Sequence, residues 1–187
     1  IFDKCILPCE GKGDIRYYVY NPIKHGGLSA DRKYPVLMWI HGLNCSIDGI
    51  RCVGYCGGEQ YASPRYQEEM GGGAFIIVPL ANEKRLEDDT IAGSWDEEYL
   101  PYLKDIYDKV CMENAENIGA KFIMGASAGG YVTWRMLELY GDYFKGAIPA
   151  ASIYVPDKER LSKMEAAGIH LLVAHGRHDE MALFKDC

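Results

Sequence analysis

The stretch that decides the fold lies at residues 121–135, KFIMGASAGGYVTWR. The apolar run at 122–124 predicts a strand, and the segment at 130–140 predicts a helix. A G-x-S-x-G turn joins them, with Ser127 at its apex. Glycine permits a sharp backbone turn and avoids collisions with the neighbouring strand and helix. The pattern therefore predicts a turn that presents the Ser127 hydroxyl at the carboxyl end of a strand, beside a helix N-terminus.

A glycine-rich turn with an incidental serine is the alternative interpretation of this stretch. The surrounding segments favour the functional interpretation, because they alternate between strands and helices. Further strands are predicted at 14–20, 35–40, 74–80, 145–151 and 169–174, and further helices at 59–70, 96–113 and 156–167. Most of these strands are apolar on successive residues, which is typical of parallel strands covered on both faces. The order predicts one α/β domain over residues 1–187, with a mostly parallel sheet flanked by helices.

Composition limits the classes of protein to which the chain can belong. Its 187 residues are 48% hydrophobic and 25% charged, as in a globular domain. A net charge of −7 without a basic stripe argues against nucleic acid as a partner. No apolar run has the length of a membrane span. The chain begins with Ile1, so the lack of a leader leaves a cytoplasmic and a secreted location open. The oligomeric state is open as well.

The seven cysteines form an odd set that cannot pair completely within the chain. Three of them, Cys45, Cys52 and Cys56, cluster in one predicted loop. Their spacing is not that of a zinc motif, and no histidine lies at ligand spacing beside them, so no metal site is predicted. Disulfides between Cys52 and Cys56, or between Cys5 and Cys9, are possible in an exported protein. Reduced thiols are the favoured interpretation.

Three polar segments follow apolar runs and should meet at one edge of the sheet. They are His41-Gly42, Ser127 and Asp179. Ligands of open α/β sheets bind beyond the carboxyl ends of the strands. A serine hydroxyl becomes a strong nucleophile only beside a base, usually a histidine that a carboxylate orients. The convergence of three independent segments therefore predicts a nucleophilic site at this edge.

Donors for a developing oxyanion can be predicted from the same segments. One is the backbone N–H of Ala128, directly after Ser127. The other should come from the loop after the strand at 35–40, where Gly42 allows a close approach to the serine. The N–H of Leu43 is the favoured donor of this loop, and that of Asn44 stays open.

Asp179 is the favoured acid, because it lies in a turn just beyond the strand at 169–174. Asp157, which follows the preceding strand, is the alternative. The base is harder to find among the chain's five histidines: His25, His41, His170, His175 and His178. His170, inside a predicted strand, is expected to be a core residue. In the chain order serine, acid, histidine, the base follows the acid, but no histidine follows Asp179. The chain is then a truncated piece, or His178 substitutes as the base, or the site is inactive.

These motifs resemble those of α/β-hydrolase fold serine esterases. The elbow at 125–131, the His41-Gly42 loop and the H-G-x-x-D turn at 175–179 are similar to those of bacterial esterases and predicted peptidases related to feruloyl esterases, esterase D and polyhydroxybutyrate depolymerases. The segment at 143–149 resembles the strand after their elbow helix. The resemblance implies a further helix, a last strand and a histidine loop after the acid, so we expect the fold to lack these and the chain to be incomplete.

The resemblance also implies the activity. It is the hydrolysis of carboxylic esters through an acyl-enzyme on Ser127, without a metal or cofactor, on a small-molecule or polysaccharide-linked acyl ester. A serine peptidase of the prolyl-oligopeptidase-like type and a non-catalytic binding protein are the alternatives. The segments at 45–58 and 81–95 are expected to be loops that line the cleft. Their aromatic residues Tyr55 and Trp95, with the nearby Tyr61, could stack on a substrate or pack the loops against the domain.

Overall fold

A computed structural model describes residues 1–11, 13–49, 51–55 and 57–182 of the chain. Within these ranges the strands are β1 (Asp3–Leu7), β2 (Ile15–Tyr20), β3 (Tyr34–Ile40), β4 (Phe75–Pro79), β5 (Lys84–Arg85), β6 (Ile91–Ala92), β7 (Ile118–Ala126), β8 (Gly146–Ala150) and β9 (His170–Leu171). The α-helices are α1 (Arg51–Tyr55), α2 (Gly58–Tyr61), α3 (Pro64–Glu69), α4 (Tyr99–Glu113), α5 (Ala128–Tyr140) and α6 (Lys158–Ala166).

The main sheet has seven strands in the order β1-β2-β4-β3-β7-β8-β9. Strands β3, β4, β7, β8 and β9 pair in parallel, whereas β1 and β2 are antiparallel additions at one edge. Parallel pairing brings the carboxyl ends of β3, β7 and β8 to one edge, where Ile40 lies opposite Gly125 and Gly125 opposite Pro149. The predicted α/β class with a mostly parallel sheet is confirmed.

Two apolar clusters cover the two faces of the sheet. Alternate residues of β3 enter different clusters: Val36 and Met38 pack with helices α4 and α5, and Leu37 and Trp39 pack with α1 and neighbouring segments. Burial on both faces explains why β3 is apolar on successive residues. Helix α4 turns a buried stripe towards the sheet, as its periodicity predicts. Among the helices that the structure describes, none has the length and apolar character needed to cross a membrane.

Several elements differ from the sequence predictions. Strand β1 was not predicted, because it is a short, half-buried edge strand without a strong apolar run. The helix predicted at 59–70 is two short helices, since Pro64 occupies the first turn of α3 after Ser63. The predicted loops at 45–58 and 81–95 contain α1 and the β5–β6 hairpin. By contrast, Cys5 and Cys9 are free cysteines, which is the interpretation favoured from the sequence over a disulfide between them.

The last predicted strand also differs. Only His170 and Leu171 form β9, and a single bridge pairs Ala174 with Ala150. The prediction that residues 169–174 form a buried strand with a core histidine is wrong, because His170 is exposed and the next three residues are at least one-third exposed. Strand β9 lies at the outer edge of the sheet, and no described helix covers residues 171–173.

Candidate active site

Ser127 lies between β7 and α5 in a conformation that few side chains adopt, with φ 57° and ψ −120°. Such a backbone conformation costs on the order of 1–3 kcal/mol and persists only where surrounding contacts impose it. Two hydrogen bonds fix the turn here. The Ser127 N–H donates to the Ala150 carbonyl at 2.9 Å, and the Tyr131 N–H donates to the Ser127 carbonyl at 3.1 Å. The serine is therefore held at the sheet edge by β8 and by the first turn of α5.

The glycines that flank Ser127 are required by close backbone packing. A Cβ atom on Gly125 would lie 2.4 Å from the Gly129 carbonyl oxygen. One on Gly129 would lie 2.2 Å from the Ile40 carbonyl oxygen. Both distances are far shorter than van der Waals contact. A side chain on Gly125 would therefore separate it from the start of α5, and one on Gly129 would separate α5 from β3. The G-x-S-x-G spacing thus has a steric cause in this fold.

The loop after β3 passes directly beside the serine. A Cβ atom on Gly42 would lie 3.4 Å from the Ser127 Cβ and 4.0 Å from its Oγ. Two amides of this loop were open as oxyanion donors. The Asn44 N–H donates to Glu83 Oε1 at 3.0 Å, whereas the Leu43 N–H has no hydrogen-bond partner among the described residues. Of these two amides, that of Leu43 is therefore the one available to donate a hydrogen bond to an oxyanion.

The Ala128 amide lies on the other side of Ser127, at the first position of α5. The first N–H groups of a helix have no partner within the helix. The positive end of the helix dipole adds to the attraction of this position for negative charge. Ser127 is consequently flanked by the N–H groups of Leu43 and Ala128, for which the described residues provide no hydrogen-bond partner.

His41 is fully buried, and its ring forms hydrogen bonds that fix the loop after β3. Its Nε2 accepts the Ala81 N–H at 3.1 Å, so the ring proton is assigned to Nδ1, which donates to the Gly42 carbonyl at 2.6 Å. The Trp95 indole N–H donates to the His41 carbonyl at 2.9 Å. Both ring nitrogens of His41 are thus engaged by backbone groups, and the residue orients the loop.

Glu83, which the sequence reasoning missed, is a buried acidic residue after β4 that binds the loop after β3. It is 7% exposed and accepts hydrogen bonds from the Asn44 N–H and from the N–H and Oγ–H of Ser46. Burial acts to raise the pKa of its carboxyl, but the hydrogen bonds from Ser46 and Asn44 outweigh it and lower the pKa overall. An acidic residue just beyond the buried strand β4 was the signal that could have identified it.

Asp179 lies in the turn after β9. In the sheet, β8 lies between β9 and β7, the strand that precedes Ser127. Its Oδ1 accepts the N–H groups of Met181 and Ala182, both at 2.9 Å, and these hydrogen bonds lower the pKa of its carboxyl. The segment that leads into this turn is joined to the end of β8, because the Ala151 N–H donates a hydrogen bond to the Ala174 carbonyl at 2.8 Å. Strand β8 thus separates the strand that precedes Asp179 from the strand that precedes Ser127. A further side chain would have to connect Asp179 and Ser127.

The alternative acid, Asp157, has a structural role. It is the N-cap residue of α6, and its Oδ1 accepts the Arg160 N–H at 2.9 Å. A carboxylate at this position satisfies an unpaired helix N–H and interacts favourably with the helix dipole.

No described histidine forms a hydrogen bond with Ser127. His178, the predicted substitute base, is exposed and has no hydrogen bond or ion pair with the described residues. The ring of His175 lies 3.7 Å from the Asp179 carboxylate, but its Nε2 is 2.6 Å from the Ala182 carbonyl and is directed to that group. Within the part of the chain that the structure describes, no histidine is therefore placed as a base against Ser127.

The structure places a histidine beside the cysteine cluster, contrary to the sequence prediction. Donor atoms of His41, Cys45 and Cys52 all lie within 4.8 Å of one another. Both nitrogens of His41 already bind backbone groups, so a metal ion would have to displace one of these hydrogen bonds. The third cysteine of the cluster, Cys56, lies outside the described residues.

Two of the aromatic residues considered for stacking on substrate pack within the protein. Trp95 is 7% exposed and meets Tyr99 edge to face, with the ring centroids 5.0 Å apart. Tyr61 packs edge to face on Tyr66 at 5.5 Å. The structure thus favours the packing interpretation for these two residues.

A family model named Esterase, with the description "Putative esterase", matches residues 10–180. The chain belongs to the Esterase family. A comparison of this Esterase-family chain with curated protein sequences finds no match.

Solved structures share the fold of this Esterase-family chain. A thermostable esterase superimposes with a TM-score of 0.75 at 23% identity; the match covers 99% of this chain and 49% of the other. The S-formylglutathione hydrolase FrmB from Staphylococcus aureus gives 0.60 at 20% identity, with coverage of 97% and 81%. A ferulic acid esterase gives 0.61 at 16% identity, with coverage of 96% and 91%. The fold is therefore that of the α/β hydrolases, and the chain spans about half the length of the thermostable esterase.

Proposed function

We propose that this protein is a serine hydrolase that cleaves carboxylic esters through an acyl-enzyme on Ser127. The observation that carries the proposal is the strained Ser127 turn, packed against Gly42 and flanked by the amides of Leu43 and Ala128. Membership of the Esterase family supports an ester as the bond that the protein cleaves. The proposed substrate is a small-molecule or polysaccharide-linked acyl ester.

In the proposed reaction, the Ser127 Oγ attacks the acyl carbon as a base removes its proton. The carbonyl oxygen becomes an oxyanion, which accepts hydrogen bonds from the N–H groups of Leu43 and Ala128. The base then protonates the leaving alcohol as the C–O bond breaks, and the acyl group stays on Ser127. Water, activated by the same base, attacks the acyl-enzyme and releases the acid. Asp179 orients the base and stabilises its charged form.

The base in this reaction is a histidine that the described residues do not place against Ser127. Ser127 follows β7 and Asp179 follows β9, and β8 lies between these strands in the sheet. A histidine that contacts both side chains would therefore lie over the carboxyl end of β8. His178 adjoins Asp179 in sequence and remains the candidate within the chain.

A fluorophosphonate probe tests the proposed nucleophile. In the protein at its natural length, the probe should label the wild type and should not label Ser127→Ala. The matched control is Ser29→Ala, in an exposed loop, which should label as the wild type does. A wild type that stays unlabelled, or label that persists in Ser127→Ala, would contradict the proposal and favour a non-catalytic binding protein.

Whether the protein cleaves esters or amides is tested by a comparison of substrates, because the probe reports only the nucleophile. An esterase should hydrolyse p-nitrophenyl acyl esters much faster than matched aminoacyl p-nitroanilides, because an amide has the poorer leaving group. Comparable turnover of the anilides would favour the peptidase alternative on the same fold.

A further inference from the structure

The buried carboxylate of Glu83 has no part in the reaction proposed above. Glu83 lies between β4 and β5, 7% exposed, and no described lysine or arginine forms an ion pair with it. A buried carboxylate without a cation is unfavourable by several kcal/mol unless hydrogen bonds replace its hydration. The groups that provide those hydrogen bonds therefore indicate what the residue does.

Three donors surround the carboxylate, and all belong to one short segment of the loop after β3. Oε1 accepts the Asn44 N–H at 3.0 Å. Oε2 accepts the Ser46 N–H at 2.9 Å and the Ser46 Oγ–H at 2.8 Å. Both oxygens are thus occupied by neutral donors, and Glu83 is not placed to take a proton from Ser127. Its hydrogen bonds hold the chain that follows Leu43.

The direction of the Leu43 amide depends on the two peptide planes around that residue. In a trans peptide, the Gly42 carbonyl and the Leu43 N–H share one plane and point in opposite directions. His41 fixes this plane through the Gly42 carbonyl. The next plane contains the Asn44 N–H, which Glu83 fixes. Asn44 also adopts φ 68°, an unfavourable conformation that this hydrogen bond helps to maintain.

We propose that Glu83 is a positioning residue that fixes the Leu43 amide as an oxyanion donor. The proposal rests on the proposed function, in which that amide binds the oxyanion. Glu83 does not touch the substrate; it holds the loop in the geometry of the transition state, so that the amide needs no reorganisation when the charge develops. The residue therefore stabilises the transition state more than the bound substrate.

The experiment compares Glu83→Gln with the wild type in the natural-length protein, by ester kinetics and thermal melting. The glutamine keeps the size of the side chain, but it removes the charge and turns an NH2 group towards an N–H donor. We expect kcat to fall by roughly tenfold to a hundredfold with KM nearly unchanged, because a displaced donor affects the transition state. The affinity for a trifluoromethyl ketone inhibitor, whose adduct carries the oxyanion, should fall in proportion to kcat/KM.

Two further variants keep the test decisive. Ser46→Ala removes one of the three hydrogen bonds and should lower kcat by a few-fold; it provides the answer if Glu83→Gln does not fold. Glu113→Gln makes the same chemical change in an exposed ion pair with Lys109 on α4 and should leave both kinetics and inhibitor affinity unchanged. Folded variants at Glu83 and Ser46 that keep the wild-type kcat, or that change only KM or the melting temperature, would overturn the proposal.

Failure of the proposed function would give a different result. Ser127→Ala is measured in parallel. If it keeps ester turnover, the assignment of the nucleophile is wrong and the role of Glu83 falls with it. If Ser127→Ala is inactive while Glu83→Gln and Ser46→Ala are fully active, only the role of Glu83 is wrong.

Discussion

At the scale of single residues, the candidate site depends on glycines that bring backbones together. Ser127 keeps its unusual conformation because Gly125 and Gly129 allow β7, α5 and β3 to approach within distances that exclude a Cβ atom. The serine is thus held by the packing of three elements rather than by its own conformational preference. A substitution in this turn should therefore affect stability and activity together.

Gly129→Ala tests this dependence. The new methyl group would lie 2.2 Å from the Ile40 carbonyl oxygen, where no flexible side chain can move aside. We expect a loss of about 1–3 kcal/mol in the free energy of unfolding, together with loss of fluorophosphonate labelling at Ser127. Urea denaturation and probe labelling measure the two effects.

The control is Gly168→Ala, after α6. Gly168 has φ 70°, but a Cβ atom there would meet no other atom within 4 Å. That variant should lose only about 1 kcal/mol, from the left-handed backbone, and should keep its labelling. Equal effects of the two substitutions would contradict the steric explanation of the elbow.

At the scale of elements, a polar network joins the start of α4 to α5. Glu97 accepts hydrogen bonds from Arg135 Nε at 2.7 Å, Arg135 Nη2 at 3.1 Å and the Tyr131 hydroxyl at 2.7 Å. The Arg135 and Tyr131 hydrogen bonds lower the pKa of the Glu97 carboxyl to about 2. Tyr131 lies in the first turn of the elbow helix, so this network supports the helix that follows Ser127.

The lowered pKa predicts a pH-dependent contribution to stability. The unfolded chain binds a proton at Glu97 near its ordinary value of 4.5, and the folded chain only near 2. The stabilisation is therefore complete above pH of about 5 and is lost as the pH falls towards 2. The wild type should melt above Glu97→Gln at pH 7, and this difference should disappear near pH 2.

Since half of the Glu97 side chain is exposed, we expect the difference at pH 7 to be small. Glu113→Gln, in an exposed pair along one helix, is the control and should change the melting temperature little at either pH. A difference between wild type and Glu97→Gln that persists unchanged at pH 2 would show that the network acts through packing rather than charge.

At the scale of the whole molecule, strand order brings the candidate groups together without completing a triad. The loop of Leu43 follows β3, Ser127 follows β7, and the Asp179 turn follows β9, all at one edge of the sheet. None of the described histidines contacts the serine. The candidate nucleophile, donors and acid thus lie at one edge of the sheet, whereas none of the described residues places a base against Ser127.

This arrangement predicts that the 187 residues alone hydrolyse p-nitrophenyl acetate very slowly. A serine without its base loses most of its catalytic power, typically several orders of magnitude. The measurement is steady-state turnover by the purified chain, beside the same chain with His178→Ala. Substantial activity that disappears in His178→Ala would contradict the prediction and identify His178 as the base.

Much of the fold could be predicted from short-range patterns. Successive apolar residues in β3 and β4, the helical periodicity of α4 and the glycine spacing around Ser127 all act within a few positions of the chain. The edge strand β1 and the exposure of His170 could not, because burial at a sheet edge depends on which elements pack nearby. The same limit applied to Glu83, whose partners lie 37 and 39 positions away.

The sequence by itself determined the α/β alternation, the strand–turn–helix unit at Ser127 and the segments that meet at one edge. These follow from steric and periodic rules that hold along a local stretch of chain. Tertiary structure alone decided which loop amide is available, which groups bind the two ring nitrogens of His41 and which donors bind the buried carboxylate of Glu83. Those features are hydrogen bonds between segments about 40 positions apart, which exist only once the sheet has assembled.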